Sequence, residues 1–206
     1  MQLKQGRVQM FVATRYAAYK RSSSNVVRLH SREWSLFYVR RNYVKIGHFY
    51  YIKDQYFIDF PDTYLMQNKE TVNGKVHDRP CFYAFKDHSS GLYWMIPFSS
   101  QVSKFKNIYD KKKQKYKKCD TIVFGEVLGH KKVFLIQNMC PITKKYIKNE
   151  YIDSRTNIPV RINGVLEKEL KEKAAKVLAL QRKGFKLIFP NVLDIEKTLI
   201  EQLMNQ

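Results

Sequence analysis

The stretch Pro97-Phe98-Ser99-Ser100-Gln101-Val102-Ser103-Lys104-Phe105-Lys106 gathers residue types that could do chemistry together. Two adjacent hydroxyls follow a strand-ending proline, and an amine lies four residues beyond Ser100. Cleaving an RNA phosphodiester without a metal requires placing the 2′-hydroxyl in line with phosphorus and neutralising charge on the phosphorane oxygens. Hydroxyls can hold the phosphate, and a lysine can supply positive charge or shuttle a proton. Strand-end loops present such groups on a rigid edge. Ser99, Ser100 and Lys104 are therefore the candidate catalytic set, with Lys106 as the alternative amine. The same spacing also suits an ordinary serine-rich turn before a basic loop. His77-Asp78-Arg79-Pro80 precedes an apolar run. Arg79 can grip phosphate oxygens bidentately, and His77 can act as acid or base near neutral pH. His48 and His130 are further candidates of the same kind.

From Lys104 the chain is densely basic: Lys106, Lys111, Lys112, Lys113, Lys115, Lys117 and Lys118 follow, with Tyr109 and Tyr116 interleaved and only Asp110 opposing. This composition suits a track for a phosphate backbone, with aromatic platforms for bases. The alternative is a solvated flexible loop.

The whole 206-residue chain agrees with such a partner. It carries 38 Lys and Arg against 18 Asp and Glu, a formal charge of +20, and 14% of its residues are aromatic. Charge of this size gathers polyanions by electrostatic steering, which makes nucleic acid the expected partner. A hydrophobic fraction of 44% is enough for a core. No apolar stretch reaches the roughly 18 residues of a membrane span, and no secretory signal is visible. Three cysteines, Cys81, Cys119 and Cys140, sit in or beside apolar runs without CxxC spacing. They read as buried free thiols in a reducing cytoplasm, not as a disulfide framework or a zinc site. Without HExxH, a His/Cys cluster or GxxxxGK[ST], the sequence calls for neither metal nor cofactor and argues against a P-loop NTPase.

These groups need elements to hold them. Residues 1–42 carry nine Lys or Arg against one acid, Glu33, and lack a hydrophobic period. They read either as a basic, disordered RNA-binding arm or as an extension from a misassigned start. A folded domain is expected over 43–206. Val44–Ile52 is a predicted strand, and Asp54–Phe60 a helical turn ended by Pro61. Residues 67–78 are expected as a polar loop containing Asn73-Gly74. Pro80–Phe85 and Leu92–Pro97 form a hairpin around Asp87–Gly91. Strands 121–127 and 133–136 flank a turn at Gly129–Lys132. Apolar residues at 166, 170, 174, 177, 178 and 180 predict a helix over 165–183 capped by Gly184. A second helix opens at Asn191, with Leu193, Leu199, Ile200 and Leu203 along its apolar side. Short strands joined by turns predict a small curved sheet or partial barrel.

The ordered set Tyr50-Tyr51-Ile52, Arg79-Pro80-Cys81-Phe82-Tyr83-Ala84, Ile96-Pro97-Phe98-Ser99-Ser100, Cys119-Asp120-Thr121-Ile122-Val123 and Leu135-Ile136-Gln137-Asn138-Met139-Cys140-Pro141-Ile142 resembles the type III toxin–antitoxin endoribonucleases, the ToxN/AbiQ group, and within it most the CptN branch. The resemblance spans about 43–206. It implies an α+β fold of the MazF/PemK kind, a curved antiparallel sheet with C-terminal helices. It also implies metal-independent RNA cleavage to 2′,3′-cyclic phosphate ends, inhibition by a repeated pseudoknotted antitoxin RNA in an oligomeric toxin–RNA complex, and a role in phage abortive infection or plasmid maintenance. Ser99 and Ser100 match the active-site hydroxyl pair, and Arg79 the arginine-proline strand start. In the family the lysine often stands closer to the hydroxyls; here Gln101-Val102-Ser103 intervene before Lys104. A non-catalytic RNA- or DNA-binding module shares the charge and aromatics and is the rival reading, with a basic structural protein of a mobile element behind it.

Overall fold

The computed structural model describes residues 44–72 and 74–205. The basic extension expected over 1–42 lies outside them. Phe49–Ile52 (β1), Pro80–Lys86 (β4), Tyr93–Ser99 (β5), Ile122–Val127 (β6), His130–Leu135 (β7), Cys140–Ile142 (β8) and Ile147–Glu150 (β9) build one seven-stranded sheet. Its order is β6-β7-β5-β4-β1-β9, with β8 paired to β5, and all its pairings are antiparallel. β5 is long enough for two partners on one edge: Tyr93, Trp94 and Met95 pair with β8, while Phe98 and Ser99 pair with β7. The sheet stays open. With the C-terminal helices it is the α+β architecture expected from the sequence.

The central strands are apolar at nearly every position because both faces are covered. On one face Phe49, Phe82, Trp94, Ile96 and Phe134 pack under the helix Gly164–Arg182 (α3), through Leu166, Leu170, Ala174, Val177 and Leu178. On the other, Ile52, Tyr83, Met95 and Ile142 meet the short helix Asp54–Asp59 (α1) and the last helix, Val192–Met204 (α4). Burying each large side chain of this kind contributes about 1.5–3 kcal/mol. Asn163 caps α3, its side chain accepting from the Leu166 N–H. Gly184 closes that helix, donating to the Gln181 carbonyl. The apolar side of α4 is Val192, Ile195 and Leu199, whereas Leu193 and Leu203 face solvent. The buried stripe is thus shifted around the helix from the expected one, because Val192 and Ile195 continue the i, i+3, i+7 row of Leu199.

The strand expected over Val44–Ile52 is confined to Phe49–Ile52, with His48 in an isolated bridge to Arg161, and three further local expectations change. Residues 69–78 form a hairpin, not a loop: Lys69–Val72 (β2) pairs with Lys75–Asp78 (β3), and Gly74 (φ 75°) lies in a two-residue connection. The turn expected at 129–132 falls earlier. Val127 pairs with His130, so Leu128-Gly129 alone makes the connection, and His130, Lys131 and Lys132 belong to β7. Both turn residues have positive φ, 52° and 78°, the pattern of a type I′ turn, whose twist matches paired strands.

The basic run is the third change: Val102–Tyr116 (α2) is a helix. No Gly or Pro interrupts it, lysine and glutamine are good helix formers, and Lys106 pairs with Asp110 one turn on at 2.7 Å. Phe105, Ile108 and Tyr109 of α2 pack on Ile122, Val133 and Leu135. Two further pairs lie apart from the main sheet, Ile152–Asp153 (β10) with Ile158–Pro159 (β11), and β2 with β3. All three cysteines are free and buried. Burial pushes the Cys140 thiol up to about 12 and the Cys81 thiol up as well.

Candidate active site

Strand alternation decides which groups meet. On β7, Val133 and Leu135 face α2, which turns His130, Lys132 and Phe134 to the opposite side. On β5, Phe98 shares that side with Phe134. The register pairs Phe98 with Phe134 and Ser99 with Val133; one step on, Ser100 comes level with Lys132. Tyr51 of β1 lies on the same face as Phe49. Here, at the rim of the core packed under α3, opens a cavity of about 340 Å³.

Its polar lining residues are His77 and Asp78 at the end of β3, then Arg79, Ser100, His130 and Lys132. Its other lining residues are Tyr51, Pro80, Phe98, Val127, Leu128 and Tyr151. Arg79 is fixed from behind: its backbone N–H donates to the Asn68 carbonyl, and a guanidinium nitrogen donates to the Gln67 carbonyl at 2.9 Å. Asp78 is held by Lys148 at 2.8 Å. Tyr51 and Tyr151 meet edge to face at 5.7 Å. Burial pushes the Tyr51 hydroxyl up to about 12, with Tyr151 and Asp78 adding to the effect, so it remains a proton-bearing donor at neutral pH. Burial raises Tyr151 as well.

The sequence-derived candidates separate in space. His77, Arg79 and Ser100 line the cavity. Ser99 does not: it is buried, and its hydroxyl accepts from the Gln101 N–H at 3.2 Å, shaping the turn into α2. Lys104 and Lys106 stand exposed on α2 and are not among the lining residues; the Lys104 amine lies over the Phe105 ring, and Lys106 is paired with Asp110. The amine that the strands bring level with Ser100 is Lys132. Sequence reasoning misses it because Lys131-Lys132, directly after Gly129 and His130, reads as turn. The available signal is the alternation His130, Lys132, Phe134 after the dipeptide Leu128-Gly129.

Along α2 and its end, Lys111, Lys113, Lys115, Lys117 and Lys118 are exposed. Lys112 is different. Its amine donates to Thr121 Oγ1 at 3.0 Å and Gln137 Oε1 at 2.7 Å, and burial lowers its pKa. It pins α2 to the sheet. Tyr109 is likewise engaged, edge to face with Phe124 at 5.4 Å.

Among the described residues, no group of three His, Cys, Asp or Glu side chains is placed to hold a metal ion, and no helix is long and apolar enough to cross a membrane. No family model and no curated protein sequence matches the chain. Among solved structures, the chain is similar to AbiQ, a lactococcal anti-phage endoribonuclease belonging to the type III toxin–antitoxin system. The TM-score is 0.55 and the identity 12%, over 79% of this chain and 100% of that one. The two share a fold: the open antiparallel sheet with its C-terminal helices is an architecture on which an endoribonuclease is built.

Proposed function

We propose that this protein is an endoribonuclease toxin of the type III toxin–antitoxin kind, cleaving RNA by attack of a ribose 2′-hydroxyl on its own phosphate. One observation carries the reading: Ser100, Arg79, Lys132, His77 and His130 converge on one cavity of a fold shared with an anti-phage endoribonuclease. Arg79 and Lys132 supply positive charge for the phosphorane oxygens, and fixed charge aimed at a developing oxyanion is usually the strongest aid to such a reaction. The Ser100 hydroxyl holds a phosphate oxygen beside the first turn of α2, whose N-terminal dipole adds in the same sense. The two imidazoles are the groups able to take the 2′-proton and return one to the leaving 5′-oxygen. In this assignment Lys132 takes the catalytic place that sequence reasoning gives to Lys104, and Ser99 positions Ser100.

The exposed lysines 104, 111, 113, 115, 117 and 118 form the electrostatic track for an RNA backbone. The partners would be a repeated antitoxin RNA, held in an oligomeric complex, and cytoplasmic mRNA as substrate. A role in phage defence follows the same analogy. The test is incubation of the purified protein with RNA in EDTA and analysis of product ends. Cleavage leaving 2′,3′-cyclic phosphate and 5′-hydroxyl ends is expected. Tight binding without cleavage would leave a nucleic-acid-binding module instead.

A further inference from the structure

The Leu128-Gly129 connection contains an anomaly. A type I′ turn needs positive φ at both central positions and favours Asn-Gly or Gly-Gly. Leucine at φ 52° is sterically costly, and such strain gathers where a side chain is needed for function. Leu128 is only partly buried; it packs against the core under α3 and forms part of the cavity lining. Lining the same cavity are Phe98, the Tyr51–Tyr151 pair and the cationic groups Arg79 and Lys132. The cavity lining therefore combines apolar and aromatic side chains with cationic groups, and its volume of about 340 Å³ is at the small end of ligand clefts. That is room for one nucleotide and too little for a duplex.

Resting on the proposed RNA cleavage, we infer that the apolar lining of this cavity, Leu128, Phe98, Tyr51 and Tyr151, is a subsite for a single unpaired nucleobase next to the scissile phosphate, with Leu128 as a specificity-determining residue. An aromatic face accepts the base by stacking, and the aliphatic side chain closes the slot by apolar contact. The phenolic hydroxyls, which keep their protons at neutral pH, can donate to acceptors on the base edge. A base taken out of its stack sets the sugar and phosphate beside Arg79 and Lys132.

The test uses the full chain and short single-stranded oligonucleotides carrying a 2′-deoxyribose at the target nucleotide, which block cleavage. They vary the base at each position around it, and binding is read by fluorescence anisotropy. Wild type should discriminate among the four bases tenfold or more at one position. Leu128→Asn and Tyr51→Leu should reduce this to threefold or less. Leu128→Asn suits the turn and should melt at or above the wild-type temperature, so its loss cannot come from unfolding. Equal discrimination in both variants, or none in wild type at any position, would overturn the subsite. Cleavage of all-ribose versions in EDTA separates the two ideas. Cleavage with flat base preference removes only the subsite, whereas base discrimination without cleavage leaves the subsite and removes the nuclease.

Discussion

Asp87, at the turn between β4 and β5, shows how single residues hold this fold. Burial alone would raise its carboxyl. Hydrogen bonds from the Ser89 hydroxyl, the Arg182 guanidinium and the Ser89 N–H outweigh that and hold it at about 2. Arg182 reaches Asp87 at 2.5 Å and also bonds Glu196 of α4, so one cation ties a sheet turn to both C-terminal helices. A carboxyl whose folded pKa is depressed contributes stability that is complete above its unfolded value near 4 and lost as pH falls through about 2. Arg182→Met should therefore lower unfolding stability near pH 6 by about 2 kcal/mol. That is less than the 3–5 kcal/mol typical of breaking a fully buried pair, because the Arg182 side chain is 37% exposed. Urea melts at pH 6 and pH 2 check it: the gap between variant and wild type should narrow at the lower pH. None of this pairing is visible in the sequence, where Asp87 and Arg182 stand 95 residues apart. Ser100 and Arg79 were legible as candidates because strand-end punctuation marks them. Lys132 was not, because a pair of lysines after a glycine reads equally as turn or strand.

Among the elements, the strands and helices with strong apolar periods were readable: β4, β5, α1 and α3 fall close to their expected bounds. What escaped was set by partners. The hairpin at 69–78 is polar, so no burial pattern announces it; backbone pairing across the turn at Gly74 defines it. Lysines along 104–118 suggest a loop until Phe105, Ile108 and Tyr109 find the β6–β7 surface. The docking of α3 depends on Gly125. A Cβ at that position would come within 2.2 Å of Leu166 Cδ2, so this strand residue lets the helix approach. Gly125→Ala should cost about 1–3 kcal/mol by overpacking. It should lower the melting temperature by several degrees, whereas alanine at Gly164, where φ is not positive and an added Cβ meets nothing within 4 Å, brings no such clash.

At the scale of the molecule, the charge of +20 makes any RNA affinity a matter of counterion release. If the exposed lysines neutralise about five phosphates of a single strand, affinity should fall roughly a hundredfold between 50 and 200 mM salt. A titration of cleavage-blocked RNA against the protein reads this directly, and a flat salt response would remove the lysine track. The charge and the fold class were legible in the sequence. The placement of Lys132 beside Ser100 was not, because it depends on the register between β5 and β7, which no local signal encodes. Lys132 is therefore the decisive residue, and kcat/KM for RNA cleavage in EDTA tests its role most directly. Lys132→Met should lower kcat/KM at least a hundredfold with the melting temperature unchanged, while Lys104→Ala stays within tenfold of wild type. Near-normal cleavage by Lys132→Met, with loss in Lys104→Ala, would contradict it.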